Sequence, residues 1–330
     1  MMRATRVGSR FRLWDQSDMG KVTVIGGAGF VGRYLVRRLT EQGHSVRVAT
    51  RDPEAANHLK PMGNVGQVQP IQANIRDDAS IFRAVAGSDC VINLAGVMFP
   101  RGRQSFQAIH EYGAQRVAQA AINAGVARLI HVSALGVNAN VKSKYAQSKA
   151  AGEIAVRAVY PQVSIVRPSV IFGPEDKFFN LFARLATLSP IMPLFGGGHN
   201  RMQPVYVGDV ALALAALVKD GAESGGTYEL GGPQVLTLVE LVEIVCAKTN
   251  RNCLLLPVPF ALAKFAAVLL QCLPWDIFTM DQVELLKEDN VISGEQLDLA
   301  GLGVTATALE AVLPTYLSRY RKAGRIPSLE

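Results

Sequence analysis

Short apolar runs alternate with longer stretches of helical periodicity through the first half of the chain. The runs are rich in Val, Ile and Leu, which is typical of strands buried on both faces of a parallel sheet. The predicted strands are Val22–Ile25, Val46–Thr50, Val68–Gln72, Cys90–Ala95, Leu129–Ser133 and Val163–Arg167. The predicted helices between them include Phe30–Gln42, Ser105–Ala124 and Tyr145–Val159. Strands that alternate with helices predict an α/β fold with a doubly wound parallel sheet.

The second half of the chain is less regular, because glycine and proline interrupt it after Arg167. Two helices are predicted in this half, Val210–Lys219 and Leu238–Lys248, with a strand around Tyr228–Leu230 between them. From Leu254 onward the chain is apolar and is predicted to be helical. We therefore expect a smaller C-terminal α/β domain that shares strands with the first domain.

Composition narrows the classes of protein to which this chain can belong. Hydrophobic residues make up 49% of its 330 residues and charged residues 18%, against about 25% charged residues in an ordinary soluble domain. This balance excludes a disordered or fibrous protein. The net charge of +7 is too small over this length to indicate a nucleic-acid partner. The four cysteines lack the spacing of metal ligands, so we expect free thiols and no metal site.

A glycine-rich segment joins the first predicted strand to the first predicted helix. Its glycines at positions 26, 29 and 32 follow the pattern G-x-x-G-x-x-G. Gly26 permits a tight turn, Gly29 lets backbone N–H groups approach a diphosphate, and Gly32 lets the helix pack closely on the strand. The N-terminus of the helix adds partial positive charge. The segment therefore predicts a dinucleotide-binding loop.

The residues after the second predicted strand indicate which dinucleotide is bound. An acidic side chain at the end of this strand usually accepts the ribose 2′-hydroxyl of NAD, but Thr50 occupies that position. Arg51 follows and can pair with a 2′-phosphate through its fork of donors. Asp52 is the alternative, since its spacing also suits NAD, but it precedes Pro53 and is expected to point into a turn. NADP(H) is therefore favoured over NAD(H).

Three polar residues form a candidate catalytic set: Ser133, Tyr145 and Lys149. Tyr145 and Lys149 lie one turn apart on the same face of a predicted helix. The Lys149 ammonium is expected to lower the pKa of the Tyr145 phenol, so that the phenol can act as an acid or a base. Ser133 ends a predicted strand and can hydrogen-bond a substrate carbonyl. Strand alternation places His131 on the same face, where a fully hydrogen-bonded structural histidine is expected.

Together these features resemble the extended or atypical short-chain dehydrogenases/reductases, which are NAD-dependent epimerase/dehydratase-like proteins. Asn74-Ile75-Arg76-Asp77 is similar to that family's adenine-side motif, although Asn74 replaces the usual acid. Residues 167–174 are similar to the family's segment at the nicotinamide end. The resemblance implies nucleotide contacts from Gly26, Gly29, Phe30, Val31, Gly32, Arg51, Asn74, Ile75, Leu94, Ala95, Gly96, Tyr145, Lys149, Pro168 and Val170.

The sequence pattern predicts a division of the chain into three parts. Residues 1–18 are expected to form a basic N-terminal extension without ordered structure, and residues 19–174 an NAD(P)-binding Rossmann domain. Residues 175–330 are expected to form the smaller C-terminal domain, which shares strands with the first.

A narrower resemblance is to the 39-kDa accessory subunits of respiratory complex I. It is carried by residues 171–180 and 203–207 and extends to residues 281–286 and 289–291. This resemblance implies a tightly held NADPH and an accessory or assembly role with complex I subunits, or a role with ubiquinone-biosynthesis proteins. The alternative is a free NADP-dependent reductase, epimerase or dehydratase that uses the candidate catalytic set. The expected location is cytoplasmic, with peripheral attachment to the inner face of the energy-transducing membrane.

The stretch Phe260–Leu273 bears on that attachment, because its strongly polar members are only Lys264 and Gln271. It is too short to span a bilayer but long enough to lie in a membrane interface or against a partner protein. The alternative is an ordinary core helix of the C-terminal domain.

Overall fold

The computed structural model describes residues 20–137, 140–219, 225–261 and 280–321. The strands in chain order are β1 Lys21–Ile25, β2 Ser45–Thr50, β3 Val68–Gln72, β4 Cys90–Asn93, β5 Arg128–Val132, β6 Ser164–Pro168, β7 Ile171–Phe172, β8 Ile191–Phe195, β9 Arg201–Met202, β10 Val205–Tyr206, β11 Thr227–Leu230, β12 Leu236–Thr237 and β13 Leu254–Val258. The α-helices are α1 Phe30–Glu41, α2 Asp78–Val85, α3 Tyr112–Asn123, α4 Lys144–Val159, α5 Phe179–Leu188, α6 Val207–Ala216, α7 Leu238–Lys248, α8 Met280–Leu285 and α9 Leu309–Leu317.

Seven of these strands form one parallel sheet in the order β11-β6-β5-β4-β1-β2-β3. The order of the strands reverses between β1 and β4, where the connections run to opposite sides of the sheet. In a doubly wound sheet, the carboxyl ends of the strands at this reversal border the ligand-binding crevice. The predicted doubly wound fold is therefore confirmed, and the strand order gives the position of its crevice.

Both faces of the sheet are buried, which explains why its strands are continuously apolar. In β4, Ile92 packs in one hydrophobic cluster with Leu35 of α1, whereas its neighbour Val91 packs in another with Val117 of α3. The first cluster also includes α6 and the second also includes α2 and α4. Alternate side chains of one strand thus enter two separate cores, as expected for a sheet covered by helices on both sides.

The second half of the chain contributes to the large sheet and also forms smaller pairs of strands. Strand β11 adds to the edge of the sheet beside β6, and α6 packs against α1. The pairs are β7 with β10, β9 with β12, and β8 with β13. The division into domains at residue 174 remains a prediction, and β10, β11, α6 and α8 beyond it all pack with elements of the N-terminal part.

One prediction for this half is wrong. Leu254–Val258 is a strand that pairs in parallel with Ile191–Phe195, not the start of a helical region. Pro257 lacks the N–H that an α-helix would use, and a short apolar run is compatible with either structure until its partner strand is known. The apolar stretch Phe260–Leu273 lies almost entirely outside the described residues. Within the described ranges, no helix combines the length and apolar character needed to cross a bilayer.

A buried ion pair ties the edge of the sheet to α4. Arg167 of β6 donates to both carboxylate oxygens of Glu153 on α4, at 2.9 and 2.6 Å. A second carboxylate, Glu229 of β11, lies 3.7 Å from the same guanidinium. Both acidic side chains are buried. The guanidinium therefore compensates the lost hydration of two carboxylates, of which Glu229 also accepts a hydrogen bond from the Ser293 backbone N–H at 2.6 Å.

We predict that Arg167→Met lowers the free energy of unfolding by about 3–5 kcal/mol, because Glu153 and Glu229 stay buried without their cation. Arg37→Met is the matched control, since Arg37 pairs with Glu41 on the exposed side of α1. This variant should lower the free energy of unfolding by less than about 1 kcal/mol. Urea denaturation of both variants measures the difference. Equal small losses would contradict a structural role for the buried pair.

Candidate functional site

The turn between β1 and α1 brings backbone atoms closer together than a side chain would allow. Gly26 has φ of +77°, and a Cβ atom there would lie 3.3 Å from the backbone nitrogen of Ala95. A Cβ atom on Gly32 would lie 2.3 Å from the carbonyl oxygen of Gly27. Both neighbours are backbone atoms that cannot move aside, so glycine is required at both positions. This geometry fits the roles predicted for the loop.

The start of α1 is suited to an anion. The helix begins at Phe30 with Gly29 as its N-cap, and within the described part of the chain no side chain caps it. Its first turn contains no acidic residue. Such a helix N-terminus combines free N–H donors with partial positive charge. The residues Gly29, Phe30 and Val31 therefore fit the predicted contact with a dinucleotide diphosphate.

At the end of β2, the Asp52 side chain points into a local turn, as predicted. Its carboxylate accepts a hydrogen bond from the backbone N–H of Ala55 at 3.1 Å, which closes a local turn. Arg51 is exposed beside it. An aspartate engaged in its own turn is less available to a ribose hydroxyl, whereas Arg51 is accessible to a phosphate.

In the predicted adenine-side motif, residues 74–77, the polar groups are partly engaged by hydrogen bonds within the protein. The Asn74 side-chain oxygen accepts from the backbone N–H of Arg76 at 3.2 Å and from its guanidinium Nε at 3.4 Å. The Arg76 guanidinium also donates to the Arg103 carbonyl oxygen. Ile75 is buried between these residues and the core. The side-chain oxygen of Asn74 is thus occupied by a local turn, and contact of Asn74 and Ile75 with the adenine remains a prediction.

The residues after β4 and β6 lie at the same edge of the sheet. The backbone N–H of Leu94 donates to the Ile25 carbonyl oxygen, and that of Ala95 donates to the Asn93 side chain. A Cβ atom on Gly96 would lie 3.4 Å from Lys149 Nζ. Pro168 ends β6, and Val170 follows it by two residues. The predicted contacts at the nicotinamide end are therefore brought to one side of the crevice.

The candidate catalytic set gathers at the carboxyl end of β5. Ser133 directly follows this strand and is buried. Lys149 is also buried, and its Nζ atom donates to the Val132 carbonyl oxygen at 3.1 Å. Tyr145 is partly buried at the start of α4. Ser133 and Lys149 therefore lie together at the carboxyl end of β5, and Tyr145 lies one turn before Lys149 on α4.

The expected effect of Lys149 on Tyr145 is wrong. Burial, followed by the nearby Asp281 carboxylate, raises the pKa of Tyr145 to about 12. Burial lowers the pKa of Lys149 to about 8, against the opposing effect of Glu153. For Lys149, removal of the charged group from water outweighs the favourable effect of Glu153, whereas for Tyr145 burial and the Asp281 carboxylate act in the same direction. At neutral pH the Tyr145 phenol is therefore protonated and is a hydrogen-bond donor.

His110 is a member of the site that the sequence did not reveal. It lies in a π-helix, Gln107–Glu111, that precedes α3. The backbone N–H of Val97 donates to His110 Nε2 at 3.0 Å, so the proton is on Nδ1, which bonds to Ser148 Oγ at 2.8 Å. The Ser148 hydroxyl in turn donates to the Tyr145 carbonyl oxygen at 2.7 Å. These bonds fix a neutral imidazole, and burial lowers its pKa to about 3.

The His110 ring also supports the phenol directly. It meets the Tyr145 ring edge-on, with ring centroids 5.4 Å apart, and stacks on Phe106 at 5.6 Å. Phe106 contacts the Tyr145 ring as well, at 6.0 Å. Uniform helical periodicity over residues 105–124 carried no sign of the π-helix that directs His110 into the site, so this contact could not be predicted.

Contrary to expectation, only one of the two ring nitrogens of His131 has a hydrogen-bond partner within the described residues. The Asn93 side-chain oxygen accepts from Ala95 N–H, so its amide nitrogen donates to His131 Nδ1 at 3.2 Å. The proton of the neutral ring is therefore on Nε2, which is buried and has no partner among the described residues. Ser133 Oγ, on the same face of the strand, is likewise buried and unpaired within those ranges. Unpaired buried polar groups of this kind fit a site that receives a polar ligand.

Comparison with known proteins places these features in a family. The model of the NAD dependent epimerase/dehydratase family matches residues 22–231. The chain belongs to this family, and the resemblance predicted from its sequence is confirmed.

Curated relatives extend the similarity beyond the family model. NADH dehydrogenase (ubiquinone) 1 alpha subcomplex subunit 9, mitochondrial, of Arabidopsis thaliana is 37% identical, over 92% of this chain and 78% of the relative. The NADH-ubiquinone oxidoreductase 40 kDa subunit of Neurospora crassa is 35% identical, over 91% of this chain and 79% of the relative. A ceramide reductase of Caulobacter vibrioides is 36% identical over a shorter region, 61% of each chain. The narrower resemblance to complex I subunits is therefore confirmed.

Solved structures with less than 25% identity share the fold. The dTDP-glucose 4,6-dehydratase DesIV of Streptomyces venezuelae, solved with NAD and TYD bound, has a TM-score of 0.69 at 22% identity, over 91% of this chain and 96% of that one. The triphenylmethane reductase of Citrobacter sp., complexed with NADP(H), has a TM-score of 0.70 at 19% identity, over 90% and 99%. The fold is therefore one that binds NAD or NADP in other proteins.

The unpaired hydroxyl of Ser133 gives a prediction for stability. Ser133→Ala should leave the free energy of unfolding unchanged or raise it slightly, because the variant removes a buried hydroxyl that has no partner in the described structure. The matched control is Ser169→Ala, since Ser169 Oγ is buried and donates to Asn290 Oδ1 at 2.6 Å. We expect the control to lose about 1–2 kcal/mol. Chemical denaturation without nucleotide compares the two, and a larger loss at Ser133 would contradict this assignment.

Proposed function

We propose that this protein binds NADP(H) and is an accessory or assembly subunit associated with respiratory complex I. The observation that carries this proposal is the extent of the similarity to complex I subunits, which covers 92% and 91% of the chain in the two relatives named above. The family model itself ends at residue 231. The similarity therefore includes the C-terminal part, which nucleotide binding alone does not require.

An exposed apolar surface supports peripheral attachment at the inner face of the energy-transducing membrane. On the paired strands β8 and β13, Ile191, Leu254 and Leu256 are 50%, 65% and 49% exposed, and the nearby Leu188 is 79% exposed. Adjacent exposed apolar side chains of this kind are typical of docking surfaces. Strand β13, which carries Leu254 and Leu256, leads directly into the apolar stretch Phe260–Leu273.

Native gels of gently solubilised membranes test the association. We expect the protein to migrate with NADH dehydrogenase activity, and a Leu254→Ser/Leu256→Ser variant to be displaced while still binding nucleotide. Val65→Ser is the matched control, because Val65 is a fully exposed apolar residue elsewhere on the surface. Flotation with liposomes distinguishes membrane contact from protein contact. Consistent absence from the NADH dehydrogenase band would reject the complex I role, and recovery with ubiquinone-biosynthesis proteins would assign the alternative partners.

The preference for NADP(H) is supported by the end of β2. The Asp52 carboxylate is engaged by the Ala55 N–H, which leaves the exposed Arg51 guanidinium as the group available to the adenosine ribose. A guanidinium matches the geometry of a phosphate through two parallel hydrogen bonds. The extra phosphate of NADP(H) thus has a partner, whereas the 2′-hydroxyl of NAD(H) lacks its usual carboxylate.

We predict that Arg51→Ala weakens NADPH binding by roughly 10-fold to 100-fold, because it removes a charge-assisted hydrogen-bonding partner of the 2′-phosphate. NADH binding should stay unchanged. Arg83→Ala is the control of equal charge, since Arg83 is an exposed residue of α2. Isothermal titration calorimetry measures both nucleotides. An equal loss for NADPH and NADH would contradict recognition of the 2′-phosphate by Arg51.

Different groups would act at the two ends of the proposed site. The loop Gly26–Gly32 and the start of α1 would hold the diphosphate, and Lys149 would hold the nicotinamide ribose. The nucleotide, when bound, supplies or accepts a hydride at its nicotinamide ring. The Tyr145 phenol, protonated at neutral pH, would donate a hydrogen bond or a proton to a substrate oxygen. Ser133 offers a second hydroxyl to the same oxygen.

A second function is a free NADP-dependent reductase, epimerase or dehydratase. The buried and unpaired Ser133 hydroxyl favours it, because a scaffold that only holds nucleotide does not need a polar group prepared for a substrate. The similarity to a ceramide reductase over 61% of the chain agrees with this alternative. Quinones, lipid ketones and sugar nucleotides are therefore the substrate classes to test.

We predict for this second function that Tyr145→Phe lowers turnover at least about 100-fold, because the proton donor is lost. NADPH binding should be retained, since the phenyl ring stays in place against His110. Tyr112→Phe, a change at an exposed tyrosine, should alter neither property. NADPH consumption with the three substrate classes is the measurement. Turnover that is unchanged in Tyr145→Phe would remove the phenol from the mechanism.

A further inference from the structure

The start of α4 is held by a residue from the distant C-terminal part of the chain. Asp281 of α8 lies 136 residues beyond Tyr145 in the sequence. Its carboxylate accepts from the backbone N–H of Lys144 at 2.6 Å and from that of Tyr145 at 3.2 Å. It also accepts from the Ser143 hydroxyl at 2.9 Å. One side chain thus satisfies two of the N–H groups that the first turn of an α-helix leaves without partners.

These bonds add to the local cap of α4. Ser143 is the N-cap residue, and its Oγ atom accepts from the backbone N–H of Ala146 at 3.2 Å. Because the Ser143 hydroxyl donates its proton to Asp281, the same oxygen keeps a lone pair for Ala146. The first turn of α4 contains no acidic residue of its own. Asp281 therefore supplies the negative charge that a helix N-terminus favours.

The same C-terminal segment also holds the loops that follow β5 and β6. Asn290 Nδ2 donates to the Leu135 carbonyl oxygen after β5 at 3.3 Å. Its Oδ1 atom accepts from Ser169 Oγ at 2.6 Å and from the Val170 backbone N–H at 3.2 Å, after β6. Residues 280–290 thus contact three separate elements around the nicotinamide end of the site.

We propose that Asp281 is a positioning residue that fixes Tyr145 at the start of α4, so that the C-terminal segment completes the reactive end of the nucleotide site. Its relevance to chemistry rests on the proposed nucleotide-binding function. The placement of Tyr145 by a remote carboxylate does not depend on nucleotide binding.

The charges around Tyr145 show how the proposal can be separated from a purely structural role. Asp281 faces the tyrosine from α8, the neutral His110 from the π-helix, and Lys149 lies one turn along α4. The Asp281 carboxylate contributes to the raised pKa of Tyr145. Asp281→Asn keeps an oxygen that can accept from the backbone but removes the charge, whereas Asp281→Ala removes both.

Both variants are made in the full-length chain and compared with Asp289→Asn. Asp289 lies in the same segment but pairs with Arg201, at 2.8 Å, and has no hydrogen bond to α4 among the described contacts. The ionisation of Tyr145 is followed by NMR of tyrosine labelled with ¹³C at Cζ, and Tyr145→Phe assigns its signal. Amide hydrogen exchange reports the start of α4, and calorimetry with NADPH reports nucleotide binding.

We expect Asp281→Asn to lower the pKa of Tyr145 and Asp289→Asn to leave it unchanged. Asp281→Ala should accelerate exchange of the Lys144 and Tyr145 amides roughly tenfold or more, because each loses a charge-assisted acceptor. A Tyr145 pKa that is the same in wild type and Asp281→Asn, or unchanged exchange in Asp281→Ala, would overturn the proposal. If wild type binds no NADPH, the proposed function fails, while the pKa and exchange results still decide the role of Asp281.

Discussion

The functional crevice depends on the close approach of helix α1 to the turn that follows β1. A side chain at Gly32 would collide with the carbonyl oxygen of Gly27, and one at Gly26 would press on the backbone after β4. Both contacts are made by backbone atoms, and this allows the first turn of α1 to lie next to the point where the strand order reverses. The free N–H groups, the helix dipole and the ends of the neighbouring strands then lie at one place that is suited to an anion.

Local periodicity is enough to predict most of the parallel sheet and its helices. Their bounds agree with the structure to within a few residues, and Pro53 correctly indicates the turn formed by Asp52. The wrong predictions concern features that depend on tertiary contacts. The pairing of Leu254–Val258 with a distant strand is not visible in its own residues, and helical spacing contains no sign of the π-helix around His110. One neighbouring charge predicts a lowered pKa for Tyr145, but burial and the remote Asp281 determine it.

The polar cluster at the end of β5 explains why the two proposed functions are hard to separate by fold alone. Lys149 and His110 are held in fixed positions by backbone and hydroxyl groups, an arrangement that serves firm nucleotide binding as well as catalysis. Ser133 and His131 differ from them, because each keeps a buried polar atom without a partner in the described ranges. A pure scaffold gains nothing from such groups, which lower stability. These two unpaired groups are the structural feature that supports a reactive role.

The contacts of residues 280–290 have a consequence for how the protein matures. They span 136 residues from Asp281 to Tyr145 and 155 residues from Asn290 to Leu135. Pairings of such long sequence separation form late, since a large loop must close first. During synthesis, the glycine loop and its strands leave the ribosome long before the segment that braces α4. We therefore expect the part of the crevice around the glycine loop to form first, and the part around Tyr145 to be completed only when the C-terminal segment has been made.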